Sequence, residues 1–425
     1  MTKSVVRPFA LTLLTAMIVA SGCDNRGTNI PVLPEFDNGG PWTVANHVFS
    51  PQLRFQFEND LELLPMWIYI PEVAWDPPRG ISKPVPVLVL LAPQFADQFY
   101  YAHHGLEILL KEMIANHTIQ PMVVVCLPSN NTFGGYFYAG GKNFSNLPRP
   151  PSGNYDEIVG DQLLAFLRNF LHVINAKQKT GIGGIGMGAY GAFRAALLHS
   201  SAFGSISITD GPVDFDGNPG QGFGNGLIDL FDDALNEQGL LGGNIKNFDS
   251  SKANPISNMF IGGAYAFSPH DTLLYDNVIY PPGQNPIKRV DSSLTITDST
   301  TLITGFFGPG GQWRFNYHLP FTSDGQPDIL IWPNFWLTEN LENLLDSSTN
   351  KLNGVNIWIA TSTETRYNFH QQTESWIYTL TNPPYNYPVT VRNYEGVPGQ
   401  PATSDQYLYD LLKEMLIFHS ESFGS

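Results

Sequence analysis

Two short uninterrupted apolar runs, "VPVLVLLAP" and "PMVVVCLP", flank the amphipathic stretch "GLEILLKEMIANH". Such runs predict strands buried on both faces, and the three-and-four spacing between them predicts a helix lying on the sheet. The alternation continues downstream. "NYDEIVGDQLLAFLRNFLHVI" places Ile158, Leu163, Phe166, Leu167, Phe170 and Leu171 along one helical side. "TGIGGIG" and "GSISITD" read as strands, and "AYGAFRAALLHS" between them as a helix. Upstream, "RFQFEND" and "MWIYIPEV" alternate as antiparallel strands do. This order predicts an α/β fold: a mostly parallel central sheet with helices on both faces.

The N-terminus follows a different pattern. Lys3 and Arg7 precede the apolar run "FALTLLTAMIVA", and small residues lead to Cys23, the layout of an export signal. The run is too short to span a bilayer as a mature helix. Small residues directly before a cysteine resemble the bacterial lipobox. That resemblance implies a signal peptide over 1–23 and a lipoprotein whose Cys23 carries palmitate-type acyl chains. It also implies display on the cell envelope facing the periplasm, with Asp24 favouring the inner membrane. The expected organisation continues with a Gly/Pro-rich tether over 24–46 and one domain over 47–425, interrupted by a long insertion at about 212–345.

With 425 residues, 42% of them hydrophobic, the domain is long enough to bury a large core. A formal net charge of −16 without any Lys/Arg cluster excludes a nucleic-acid partner. The other cysteine, Cys126, lies inside an apolar strand run, so no intrachain disulfide is expected once Cys23 is acylated.

The run "GIGGIGMGAYG" admits two readings. Gly181, Gly183 and Gly186 fit G-x-G-x-x-G, with Asp210 ending the next strand as in a dinucleotide site. That site follows an apolar first strand, whereas polar "NAKQKT" precedes these glycines. The second reading makes "TGIGGIG" the strand and Gly184 to Gly188 the sharp turn G-x-S-x-G, with Gly186 in the serine's place. On this reading "GIGMGAYGAFRAALLHSSAFGSISITDGPVD" resembles the nucleophile-elbow segment of the α/β-hydrolase esterase family that includes esterase D, enterobactin esterase, feruloyl esterases and mycolyltransferases. "NYDEIVGDQLLAFL" resembles the helix before the elbow. "HLPFTSDGQPDILIWPNFWLTENLENLL" and "NIWIATSTETRYNFH" resemble the segment leading to the catalytic acid, and the likeness spans roughly residues 50 to 420.

The resemblance implies an acyl-transfer site, which needs a nucleophile, a base, a carboxylate to orient the base, and oxyanion donors. The nucleophile's position falls on Gly186 and the acid's on Thr365, with Glu364 beside it. No histidine stands between His370 and His419 to serve as base. The His-Gly expected after "VLVLLA" is replaced by Pro93 and Gln94, or by Ala92 and Pro93. Loss of all three triad members points to a pseudoenzyme. Glycine suits the vacated place, because an elbow residue is held at positive φ, which glycine adopts without strain.

Other chemistry finds little support. Asp214, Asp216 and Asn218 begin like a calcium loop, but Pro219 stands where that loop needs glycine and no glutamate follows at the right distance. His103 and His104 lack a third ligand and read as surface residues at a helix N-terminus, and His370 reads as a packing residue. No metal and no cofactor is expected. The aromatic insertion offers Trp313, Phe315, Tyr317, Trp332 and Trp336 which, with Met187, are candidates to line a pocket for a sugar, an aryl group or a protein segment. The alternative is that they form the insertion's own core. The reading that unites these features is a lipid-anchored pseudo-esterase that binds a partner protein or an envelope glycan or ester. Its alternatives are an active ester hydrolase or acyltransferase with displaced catalytic residues, and a scaffold subunit of a membrane-associated complex.

Overall fold

The computed structural model describes residues 48–424, apart from the stretches 130–136, 140–154, 218–225, 250–254, 276–301, 308–312, 347–350 and 396–403 and a few shorter gaps. Cys23, the signal and the tether lie outside the described residues. The central sheet has eight strands: β1 (Val48–Phe49), β2 (Trp67–Tyr69), β3 (Val87–Leu91), β4 (Val123–Leu127), β5 (Thr180–Ile185), β6 (Ser205–Thr209), β7 (Asn356–Ser362) and β8 (Val389–Tyr394). Their spatial order is β1-β2-β4-β3-β5-β6-β7-β8. The pairs β1–β2 and β2–β4 are antiparallel, and every later pair is parallel.

Helices cover both faces, which is why the central strands read as unbroken apolar runs. On one side α1 (Leu106–Ala115) and α5 (Leu408–Ser422) pack Leu106, Leu110, Leu411 and Met415 against Leu88, Leu90 and Trp358. On the other, α2 (Leu163–Phe170), α3 (Met187–Leu198) and α4 (Phe369–Thr381) bring Leu163, Leu167, Phe193 and Trp376 against Val89, Ile206 and Ile357. The single long helix expected over residues 154–174 is shorter. A wide turn at Ile158–Gln162 precedes α2, and it holds Gly160 against the His199 ring, which a β-carbon would approach to 2.1 Å.

β6 breaks the apolar rule on its α5 side. Ser205 Oγ and Ser207 Oγ lie 2.8 Å from His419 Nδ1 and Nε2 respectively. His419 is fully enclosed, and burial drives its pKa down to about 3. The imidazole is therefore neutral, with one nitrogen donating and the other accepting. Gly181 on β5 makes the room, since a β-carbon there would lie 2.5 Å from His419 Nδ1.

Between β6 and β7 the chain makes an excursion with helices Phe231–Gln238, Pro255–Phe267 and Leu341–Asp346. It also carries a three-stranded antiparallel sheet, in which Trp313–His318 pairs on either side with Pro269–Tyr275 and Leu302–Phe307. This excursion is fastened to α3: Arg194 Nη2 lies 2.7 Å from Glu339 Oε2, and Tyr190 Oη donates to the Glu339 carbonyl at 2.7 Å. Among the described residues no helix is long and apolar enough to cross a membrane.

Candidate active site

The turn from β5 into α3 has the geometry of a nucleophile elbow. Gly186 stands between the strand and the helix at φ 58° and ψ −124°, a conformation an L side chain adopts only under strain. Two further glycines make the turn possible. A β-carbon on Gly184 would lie 2.2 Å from the Gly188 carbonyl oxygen, and one on Gly188 would lie 2.1 Å from that of Leu91 on β3. The pattern G-x-G-x-G is thus a packing requirement of a helix seated on two neighbouring strands. The same geometry excludes the dinucleotide reading, because Gly181 and Gly183 lie inside β5, paired with β3 and β6.

The nucleophile's surroundings are occupied by the chain itself. The Met187 N–H, which in an elbow faces the substrate's carbonyl oxygen, donates to Gln94 Oε1 at 3.2 Å. A β-carbon on Gly186 would lie 2.5 Å from the same oxygen and 3.3 Å from Pro93 Cβ. Gln94 follows β3 on a loop fixed at its backbone. Ser129 Oγ donates to the Pro93 carbonyl, and Ala96 N donates to it at 3.2 Å. The sequence flagged Pro93 and Gln94 as departures, but only the parallel pairing of β3 and β5 shows where the glutamine side chain goes.

Below the elbow, the Gly186 N–H donates to the Asp210 carbonyl at 2.8 Å. The Asp210 carboxyl is turned toward the end of β7, where it accepts from Thr361 Oγ1 at 3.1 Å, from the Ser362 N–H at 3.2 Å, and from Ser362 Oγ. Burial pushes its pKa up to about 6, against the opposing pull of the Ser362 and Thr361 hydrogen bonds. This carboxyl joins the ends of β6 and β7 through Thr361 and Ser362.

Thr365, at the acid's position, caps α4. Its Oγ1 accepts from the His370 N–H at 3.2 Å and lies 3.3 Å from His370 Nδ1. Glu364 lies outside the described residues, as do the residues 396–403 ahead of α5, which contain no histidine. His103 and His104 are exposed, but they end a short helical turn, Tyr100–His103, rather than opening a helix, because Gly105 at φ 91° breaks the chain there. Asp214 accepts from Gly217 N at 3.0 Å and Ser375 Oγ at 2.6 Å, and Asp216 accepts from Trp332 Nε1 at 3.2 Å. Burial raises the Asp214 pKa. Asn218 lies outside the described residues, and among those described no cluster of three metal-ligating side chains forms.

The structure brings most of the candidate ligand-binding residues together, but as core. Met187, Tyr317 and Trp336 have no exposed surface and Trp332 has 4%. Trp332 stacks on Trp336 at 6.0 Å, Trp336 meets Phe267 at 5.0 Å, and Tyr190 meets Phe137 and Phe215 at 5.4 Å each. Trp336 Nε1 donates to Ser268 Oγ at 3.0 Å. Met187 Sδ accepts from the Phe137 N–H at 3.2 Å. Apolar burial and ring contacts, rather than a ligand surface, account for these side chains. The side chains of Trp313 and Phe315 lie outside the description.

A mostly parallel sheet, helices on both faces and a glycine-framed elbow at the end of a central strand define the α/β-hydrolase fold. Residues 67–263 match the model of the family described as "Putative esterase". Among solved structures it is similar to a ferulic acid esterase, at 12% identity with a TM-score of 0.50, over 89% of this chain and 98% of that one. It is also similar to an S-formylglutathione hydrolase from Agrobacterium tumefaciens, at 14% identity with a TM-score of 0.45, over 89% and 97% of the two chains. No curated protein sequence matches it.

Proposed function

We propose that this chain is a catalytically silent member of the esterase family, held on the bacterial envelope by a lipid on Cys23, and that it acts by binding a ligand or a partner protein. The observation that carries this reading is the elbow itself. Gly186 keeps the backbone conformation of a nucleophile without supplying one, and Gln94 fills the space where a nucleophile and an acyl oxygen would meet. The neutral cap at Thr365 and the absence of histidine between His370 and His419 in the sequence support it.

An active hydrolase with displaced residues needs a Ser–His pair that meets solvent. The serine hydroxyls within 2.8 Å of His419 are wholly enclosed, which favours the silent reading. The test is to treat the purified protein with a fluorophosphonate probe and short-chain nitrophenyl esters. Neither labelling nor turnover is expected. Labelling of any serine, with hydrolysis that persists through purification to homogeneity, overturns the reading. The anchoring half is tested separately by Cys23→Ala, which should move the protein from the membrane to the soluble fraction.

A further inference from the structure

The contact between Gln94 and Met187 is chemically specific. The acceptor on the Met187 N–H is a carboxamide oxygen, a carbonyl oxygen on a planar carbon, placed where an ester's carbonyl oxygen would lie in an active relative of this turn. The same atom crowds the β-carbon position of Gly186. One side chain therefore takes the place of both the nucleophile and the acyl oxygen.

The occupant is held lightly on a rigid base. The backbone of its loop is pinned through Pro93, whereas among the described residues the side chain has one hydrogen-bond partner, the Met187 N–H. Gln94 is half-buried, and its side chain can turn about its own bonds without movement of a strand or helix. The donor beneath it belongs to the first residue of a twelve-residue helix, whose N-terminal end favours an oxygen with negative charge over the neutral one now present.

We propose that Gln94 is a displaceable plug, and that the site beneath it takes a small carboxylate or carboxamide whose oxygen replaces Gln94 Oε1 on the Met187 N–H. This rests on reading the acyl site as vacated, and it names the ligand class of that site. The plug competes with the ligand, so it lowers apparent affinity by the fraction of time it is seated. For one neutral hydrogen bond that is roughly three- to tenfold.

Trimming Gln94 to alanine removes a group with the shape of acetamide, which makes acetamide and acetate the natural probes. The full-length protein is labelled with ¹⁵N-methionine, giving few signals from its 8 methionines, and Met187→Leu identifies the amide of interest. Wild type, Gln94→Ala and Gln94→Glu are then titrated with each probe. The Met187 amide should shift saturably in Gln94→Ala at roughly three- to tenfold lower probe concentration than in wild type. Gln94→Glu, whose carboxylate binds the same N–H more strongly, should require more probe than wild type. Equal titration of wild type and Gln94→Ala, or shifts that spare Met187, overturns the proposal. If Gln94→Ala does not fold, Gln94→Asn, one methylene too short to reach, carries the same expectation. Ester turnover by the wild type would overturn the silent reading alone, and a null titration would overturn the plug alone.

Discussion

Gln94 Oε1 and the Gly186 α-carbon share one small volume: a β-carbon on residue 186 would lie 2.5 Å from that oxygen. A serine restored at this position meets two obstacles, the positive φ of the turn and the glutamine side chain. The second is the cheaper, because the end of a flexible side chain can move aside.

Gly186→Ser should therefore fold but melt earlier, with a cost of about 1–3 kcal/mol from the strained backbone. It should remain silent toward nitrophenyl esters, since Thr365 stands at the acid's position and no histidine lies between His370 and His419. Calorimetry and an esterase assay on the same preparation check both halves. Turnover by this single variant would show that a base has been overlooked.

Gly188→Ala should be far more damaging, although it also adds a single methyl. The obstacle there is the Leu91 backbone carbonyl 2.1 Å away, which cannot rotate aside without moving β3. A loss of about 3 kcal/mol or more is expected, at or above the upper end of ordinary overpacking. Denaturant midpoints for Gly188→Ala and Gly186→Ala should rank in that order.

Asp210 and His419 should oppose each other in acid. Asp210 binds its proton more tightly folded, near pH 6, than unfolded, so its contribution is full below about pH 4 and is lost as pH rises through 6. His419 binds its proton less tightly folded, near pH 3, so its contribution is present above about pH 6.5 and is lost as pH falls below it. Between about pH 4 and 6 the two slopes cancel, each being ~1.4 kcal/mol per pH unit.

Removing either partner should uncover the other. Relative to wild type, Asp210→Asn should lose stability as pH is lowered from 6 to 4. His419→Gln should recover stability over the same interval. Urea unfolding at pH 4, 5, 6 and 7 reads both differences, and slopes of the same sign would show that one of the two assignments is wrong.

Arg194→Met should cost about 3–5 kcal/mol, because it takes the guanidinium away from the Glu339 carboxylate in an interface where that side chain is only 12% exposed. Arg194→Met/Glu339→Leu should recover much of the loss. A double-mutant cycle by thermal unfolding measures the coupling.

The body of the fold was legible because buried parallel strands and their covering helices write unbroken apolar runs and three-and-four spacings. β3, β4, β5, β6 and α3 fall where "VPVLVLLAP", "PMVVVCLP", "TGIGGIG", "GSISITD" and "AYGAFRAALLHS" place them. The edge strand β8 carries mostly exposed residues in "VTVRNY" and leaves no such signature. The elbow glycine could be found from spacing alone. The plug could not, because Gln94 and Gly186 meet only through the pairing of strands far apart in sequence. The destination of Trp332 and Trp336 was open for a related reason, since an aromatic side chain looks the same in a sequence whether it meets a ligand or another ring.

The clamp of Arg194 and Tyr190 on Glu339 also bears on motion. A flap that opens on its own is drawn from the least stable part of a protein, with amides that exchange early. Here the excursion after β6 is tied by charge and hydroxyl to the helix that begins at the elbow. Amides around Leu341–Leu345 should therefore exchange with deuterium together with those in the middle of α3, in one cooperative unit. Traffic above the elbow would then depend on single side chains rather than on a swinging domain.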